Sequence, residues 1–206
     1  MEGKTWVSVS ELAATPLGSE EVTETKLVRG TFKTQTKEVK YWLSSVASSL
    51  TPMGAALEHA SLLLKDWIEA HPSSYPPTVF NFTDDAQTDC SDDELLEKAR
   101  FLKNLHTEDG NVLLFNCNIS TSKQEPIFFP LSRTELPQND KYAHLMYNLS
   151  SDMPEKYAAD VAVLRKTDIP TDSVFSAMVY QADDAALVRM LDIGSRSQRT
   201  MIGRDK

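Results

Sequence analysis

The stretch "PPTVFNFTDDAQTDCSDDELLEKARFLKNLHTEDGNVLLFNCNI", Pro76 to Ile119, decides the fold. It begins with a short β-branched and aromatic run, Thr78–Thr83, which reads as a buried strand. The apolar run stops at Thr83, and two adjacent carboxylates follow, Asp84 and Asp85. In "SDDELLEKARFLKNLH", Leu95, Leu96, Ala99, Leu102 and Leu105 recur at helical spacing. Ser91 and Glu94 form the capping box that opens this helix. After "TEDGN", "VLLFNCNI" is a second apolar run of strand length. Strand, helix and strand joined by short links make a βαβ unit, and its crossover implies parallel strands.

Working outward, "TPMGAALEHASLLLKDWIEAH" (51–71) places Met53, Ala56, Leu57, Ala60, Leu63, Leu64, Trp67 and Ile68 on one helical face. Thr51 reads as its N-cap and Pro52 as its first helical residue. The prolines of "PSSYPP" end it. The strand Thr78–Phe82 is too apolar for an exposed position and is expected at the centre of the sheet. Downstream, "PIFFPL" suggests a short strand. Helices are expected over Asp140–Leu149 and Pro154–Leu164, then a strand in "VFSAMVYQ" and a helix in "DDAALVRMLDI". Before residue 50 the sequence suggests one strand, "TWVSVS", and a hairpin formed by "TKLVRGTF" and "KEVKYWLSSV". We read 1–195 as a single, partial domain and 196–206 as a flexible basic tail.

The chain has 206 residues, 41% apolar and 25% charged, as expected of a soluble globular domain. Its formal net charge of −9 argues against nucleic acid or an anionic membrane as partner. No apolar run approaches the about 18 residues of a membrane span. The opening residues lack a basic segment followed by an apolar one, so the expected location is the cytoplasm. The two cysteines, Cys90 and Cys117, show no metal or disulfide spacing and read as reduced thiols.

In an open α/β sheet, ligands gather outside the carboxyl ends of the strands. Asp84 follows such an end, and Thr51 opens the helix before it. A hydroxyl and a carboxylate converging there suit a hard cation such as Mg²⁺. The plainer reading makes Thr51 only a cap and Asp84 and Asp85 only turn residues. The four histidines, His59, His71, His106 and His144, show no ligand spacing. Cys117 lies in an apolar strand and reads as a structural thiol, while Asp183 and Asp184 fit the acidic first turn of a helix. The seven glycines are scattered and form no phosphate-binding loop.

Taken in order, "TPMGAALEHASLLLKDW", "PPTVFNFTDDAQTD", "NVLLFNCNIS" and "SAMVYQADDAALVRMLDIGSR" resemble the von Willebrand factor type A domain, most of all its bacterial intracellular members. The resemblance runs over roughly 44–195. It implies a Rossmann-like three-layer α/β fold, with a mostly parallel sheet and helices on both faces. It also implies a metal-ion-dependent adhesion site to which Thr51 and Asp84 would contribute. Two departures stand out. The family's D-x-S-x-S motif is absent upstream of Thr51, and Asp85 stands where a glycine is usual. The fold is therefore expected to be incomplete at its N-terminal side, and Mg²⁺ to be bound weakly or not at all. The function so implied is a non-enzymatic interaction module, in a bacterial stress or tellurite-resistance setting. Its expected partner is a protein, either basic or able to supply the missing strand. The alternatives are a metal-assisted hydrolase using Asp84 and Asp85, and a truncated fragment without function.

Overall fold

A computed structural model describes residues 4–28, 31–44, 50–121, 124–166 and 173–195. The tail read at 196–206 lies outside these residues. The chain divides into two compact units, 1–49 and 50–206.

The first unit begins with a short helix, α1 (Val9–Ala14), where the sequence suggested a strand in "TWVSVS". The reason is a second capping box. The Glu11 N–H donates to Ser8 Oγ at 3.2 Å, and the Ser8 N–H donates to Glu11 Oε2 at 3.0 Å. An antiparallel hairpin follows, β1 (Gly18–Val28) and β2 (Thr31–Tyr41), in register from Gly18 opposite Tyr41 to Val28 opposite Thr31. Its strands are longer than expected, and Thr31 and Phe32, read as part of the first strand, open the second. Hydroxyls pair across it at Thr23–Thr36 (3.3 Å) and Thr25–Thr34 (3.2 Å). The whole of β2 is exposed.

The second unit is a mixed α/β layer structure. Its elements are α2 (Met53–Ala70), β3 (Thr78–Thr83), α3 (Asp92–Asn104), β4 (His106–Thr107), β5 (Gly110–Asn111), β6 (Leu113–Ile119), β7 (Ile127–Phe128), α4 (Lys141–Leu149), α5 (Ala158–Arg165), β8 (Met178–Ala182) and α6 (Asp184–Gly194). The main sheet has the order β3-β6-β8-β7. β3, β6 and β8 run parallel, and β7 pairs antiparallel with β8. β4 and β5 form a small hairpin of their own. Its turn depends on Gly110, whose φ of +142° is a conformation that side chains rarely adopt.

Strand alternation divides the core into two clusters, one on each face of the sheet. On one face Leu114, Met178 and Tyr180 meet Leu57 and Leu64 of α2, Leu95, Ala99 and Leu102 of α3, and Met146 and Leu149 of α4. On the other, Phe115, Cys117 and Val179 meet Val161 of α5 and Ala186, Met190 and Ile193 of α6. β6 is buried through Asn118, and its largely apolar sequence is interrupted only by Asn116 and Asn118.

One placement differs from expectation. β3 is not central but lies at the edge of the sheet among the described residues. The helices shield only part of it: Val79 and Phe80 pack against the two clusters, while Phe82 remains 38% exposed. Apolar sequence recorded partial cover by helices, not strands on both sides.

Candidate functional site

The carboxyl ends of β3, β6 and β8 lead into the loops from Thr83, Ile119 and Ala182. At the first of these, Thr83 is 7% exposed and turns inward. Its hydroxyl donates to the Asp85 carbonyl at 2.6 Å and accepts the Asp85 N–H at 3.2 Å. The Asp85 carboxylate accepts the Ala86 N–H at 2.7 Å, and the Asp85 carbonyl also accepts the Tyr142 hydroxyl at 2.8 Å. The turn is thereby held by its own backbone and tied to α4.

Asp84 differs from its neighbours. It is exposed, and its carboxylate makes no hydrogen bond or ion pair among the described residues. Its charge, with those of Asp85 and Asp140, still reaches the Tyr142 hydroxyl. Burial is the main cause that pushes this phenol up to about 12, and the three carboxylates add to it. Tyr180, on β8, donates a short hydrogen bond to Asp140 Oδ2. Burial and that bond raise its pKa well above the ordinary tyrosine value. Asp140 also accepts the Ala143 N–H at 3.0 Å and so caps α4.

Thr51 lies beside this loop, but not in the expected role. α2 begins at Met53, its N-cap is Pro52, and no side chain of the cap residue bonds to the helix. The cap comes from Asp89 instead. Its two carboxylate oxygens accept the N–H groups of Gly54 (3.1 Å) and Ala55 (2.8 Å). A carboxylate here also meets the positive end of the helix dipole. Desolvation raises the Asp89 pKa, but the bonds from Ala55 and Gly54 outweigh it and the carboxyl ends below its ordinary value. Asp89 is exposed, yet its carboxylate is engaged.

Thr51 contributes through its backbone. Its N–H donates to Thr88 Oγ1 at 2.9 Å, and its carbonyl accepts the Thr88 N–H at 3.0 Å. This pair fastens the loop after β3 to the start of α2. Gly54 permits the close approach: a Cβ there would lie 2.5 Å from Cys90 Sγ and 3.1 Å from Asp89 Oδ2. Burial is the first cause, and the Asp89 charge the second, of a raised Cys90 pKa, so this thiol ionises less readily than an ordinary cysteine.

Behind the edge runs a polar chain. Asn81 Nδ2 donates to Asn116 Oδ1 at 2.9 Å, and Asn116 Nδ2 donates to Ser150 Oγ at 3.0 Å. Asn116 is fully buried, so this chain satisfies amide groups that would otherwise be costly. At the edge itself, Asn118 Oδ1 accepts the Gln181 N–H at 3.3 Å, beside a register shift between Cys117 and Ile119 and a positive φ of 56° at Gln181.

The structure thus brings the Thr51 and Asp84 loops together, but offers Mg²⁺ few oxygens. Asp89 is committed to a helix and the Asp85 carbonyl to Thr83 and Tyr142. Among the described residues no group of three or more His, Cys, Asp or Glu is arranged to hold a metal. Thr51 and Asp84 alone do not fit a resident octahedral Mg²⁺. The sequence reading missed Asp89, Asp140, Tyr142 and Tyr180. Asp140 carried a local signal as an N-cap, but Asp89 reaches a helix 35 residues upstream, which no local spacing reveals. Comparison with known protein families, curated proteins and solved structures finds no match for this chain.

Proposed function

We propose that the chain is a non-enzymatic protein-interaction module of the von Willebrand factor A type. Its fold on this reading is the Rossmann-like three-layer form lacking an N-terminal portion. The observation that carries the proposal is the edge of β3 with which no strand among the described residues pairs. The Pro77 carbonyl accepts the Leu113 N–H at 3.1 Å. In a parallel ladder alternate residues point their backbone groups to opposite sides, so those of Thr78, Phe80 and Phe82 face away from β6. Such an edge, without proline, lysine or bulge to blunt it, accepts a strand from another chain. Asp84, exposed and uncommitted, stands at the end of the same strand and favours a partner with a basic group there. Mg²⁺ on this reading is held weakly by Thr51 and Asp84, or not at all. The cytoplasmic location and the bacterial stress or tellurite-resistance setting rest on the family resemblance alone.

The test immobilises the full chain and compares it with Phe82→Lys and Asp84→Lys for partner retention from bacterial cytosol. A partner held by the wild type, lost with Phe82→Lys and weakened by Asp84→Lys is the expected result. Equal retention by all three would refute the edge. Hydrolysis of phosphate esters that vanishes in Asp84→Ala would replace the proposal with a hydrolase.

A further inference from the structure

A second site lies at the amino edge of the sheet, away from Asp84. There the ends of α3 and α4 and the start of β6 enclose a cleft of about 450 Å³, lined by Lys103, Asn111, Leu113, Asn148, Ser151 and Asp152 among others. Lys103 is half-buried. Its ammonium donates to the Ser150 carbonyl at 2.8 Å and the Asn148 carbonyl at 3.3 Å. An ammonium has three N–H donors, so one is left over. No ion pair among the described residues engages it. Desolvation lowers its pKa; Asp152 opposes that shift and Arg100, one helical turn before, adds to it.

Asp152 supplies the opposite charge. It is exposed, carries no hydrogen bond or ion pair on its carboxylate among the described residues, and is fixed by an antiparallel bridge to Ser176. The Ser150 hydroxyl of the wall has spent its donor, while the Ser151 hydroxyl accepts one bond and keeps its O–H. Ser150 Oγ donates to the Met146 carbonyl, and Ser151 Oγ accepts the Leu114 N–H. Asn148 Oδ1 accepts from Arg133 at 2.5 Å, which leaves its amide N–H groups as donors. Val112 and Leu113 give an apolar floor.

We propose that this cleft binds a small organic monocarboxylate carrying a hydrogen-bond donor beside the carboxylate, as in an α-hydroxy or α-amino acid. The carboxylate meets the free N–H of Lys103 and the donor meets Asp152. A phosphate dianion is disfavoured by the Asp152 charge, and a neutral polyol leaves the ammonium unpaired. The volume suits a ligand at the small end of ordinary pockets.

The test is a titration of the ¹⁵N-labelled full chain by NMR, with L-serine, L-lactate, acetate and inorganic phosphate as probes. Saturable shifts confined to amides near 103–104, 111–113 and 148–152 are expected, stronger for serine and lactate than for acetate. Lys103→Met should weaken binding at least about tenfold, the loss of one charge-assisted bond. Because Lys103 also supports the end of α4, Asp152→Asn is the second variant; it should keep the fold and abolish the preference for serine over acetate. No saturable shift up to roughly 50 mM, where even a weak site fills, overturns the proposal. So does phosphate binding as tightly as serine, or unchanged selectivity in Asp152→Asn.

Discussion

Replacing Asp89 by alanine tests the account of the candidate site most directly. The carboxylate accepts the N–H groups of Gly54 and Ala55 and sits at the positive end of an 18-residue helix. Losing a capping side chain costs about 1 kcal/mol, within a range of about 0.5–2. The helix dipole contributes to the upper half of that range. Water can reach the freed N–H groups because Asp89 is exposed, so the full penalty of a buried unpaired donor does not apply. We expect about 1–1.5 kcal/mol at neutral pH. For a unit of this size that is a fall of about 2–6 °C in melting temperature. The folded-state pKa of Asp89 lies below its ordinary value. Its stabilisation is therefore complete above the unfolded carboxylate pKa of about 3.9 and fades as pH falls through the lower folded value. Urea titrations of wild type and Asp89→Ala, followed by circular dichroism from pH 7 downward, would show two curves converging in acid. Equal stability at pH 7, or a gap that does not narrow as the pH is lowered beneath the unfolded carboxylate pKa of about 3.9, would refute the capping role.

Gly54→Ala should destabilise by about 1–3 kcal/mol, since its methyl meets Cys90 Sγ, and Cys90→Ala should relieve most of that in a double-mutant cycle. Thr51→Ala should cost little, because Thr51 acts through its backbone; a loss above about 1 kcal/mol would return the capping role to its hydroxyl. Leu114→Ala, fully buried on β6, should cost about 2–5 kcal/mol by equilibrium unfolding. Burial pushes the Cys117 thiol up to about 11, so at pH 8 Cys90 should react with a thiol reagent well before it; equal rates would contradict its placement. Calorimetry at millimolar Mg²⁺ should show weak or no binding, and a tight one-to-one isotherm would reveal further ligands.

The parts of the fold legible in the sequence were those fixed by local physics. Helical spacing from Met53 to Ile68 and from Leu95 to Leu102 marked α2 and α3, and Ser91 with Glu94 marked the start of α3 where the structure has it. The apolar run of strand length in "VLLFNCNI" marked β6 as a buried strand. Neighbour relations were not legible. β3 and β6 look alike as sequences, yet one is an edge and the other is central, because burial by helices and burial by strands select the same residue types. α1 was missed for a different reason: the β-branched character of Thr5–Val9 outweighed a capping box that was present in plain view. At the site, Thr51 has a good cap residue's chemistry one position too early, and the proline after it took the cap position.

The four acidic and amide side chains of "TDDAQTD" have different tasks, and these narrow what the site can do. Asp85 accepts a hydrogen bond from its own turn, and its carbonyl takes the Tyr142 hydroxyl. Gln87 donates to Asp92 at 2.5 Å, in the first turn of α3. Asp89 holds the start of α2. The Asp89 carboxylate, the Gln87 amide and the Asp85 backbone carbonyl join the loop to α2, α3 and α4 respectively, so the loop is a junction of three helices. Asp84 alone is left out, although it sits on the same short segment. Structural need therefore does not explain a carboxylate at 84, and a neutral replacement there should leave stability within about 0.5 kcal/mol of wild type. If Asp84→Asn instead lowers stability as much as Asp89→Ala does, Asp84 belongs to the junction and the carboxyl edge offers a partner no free charge. If stability is unchanged while partner retention falls, the side chain is kept for recognition. Denaturation and retention measured on this one variant separate the two roles.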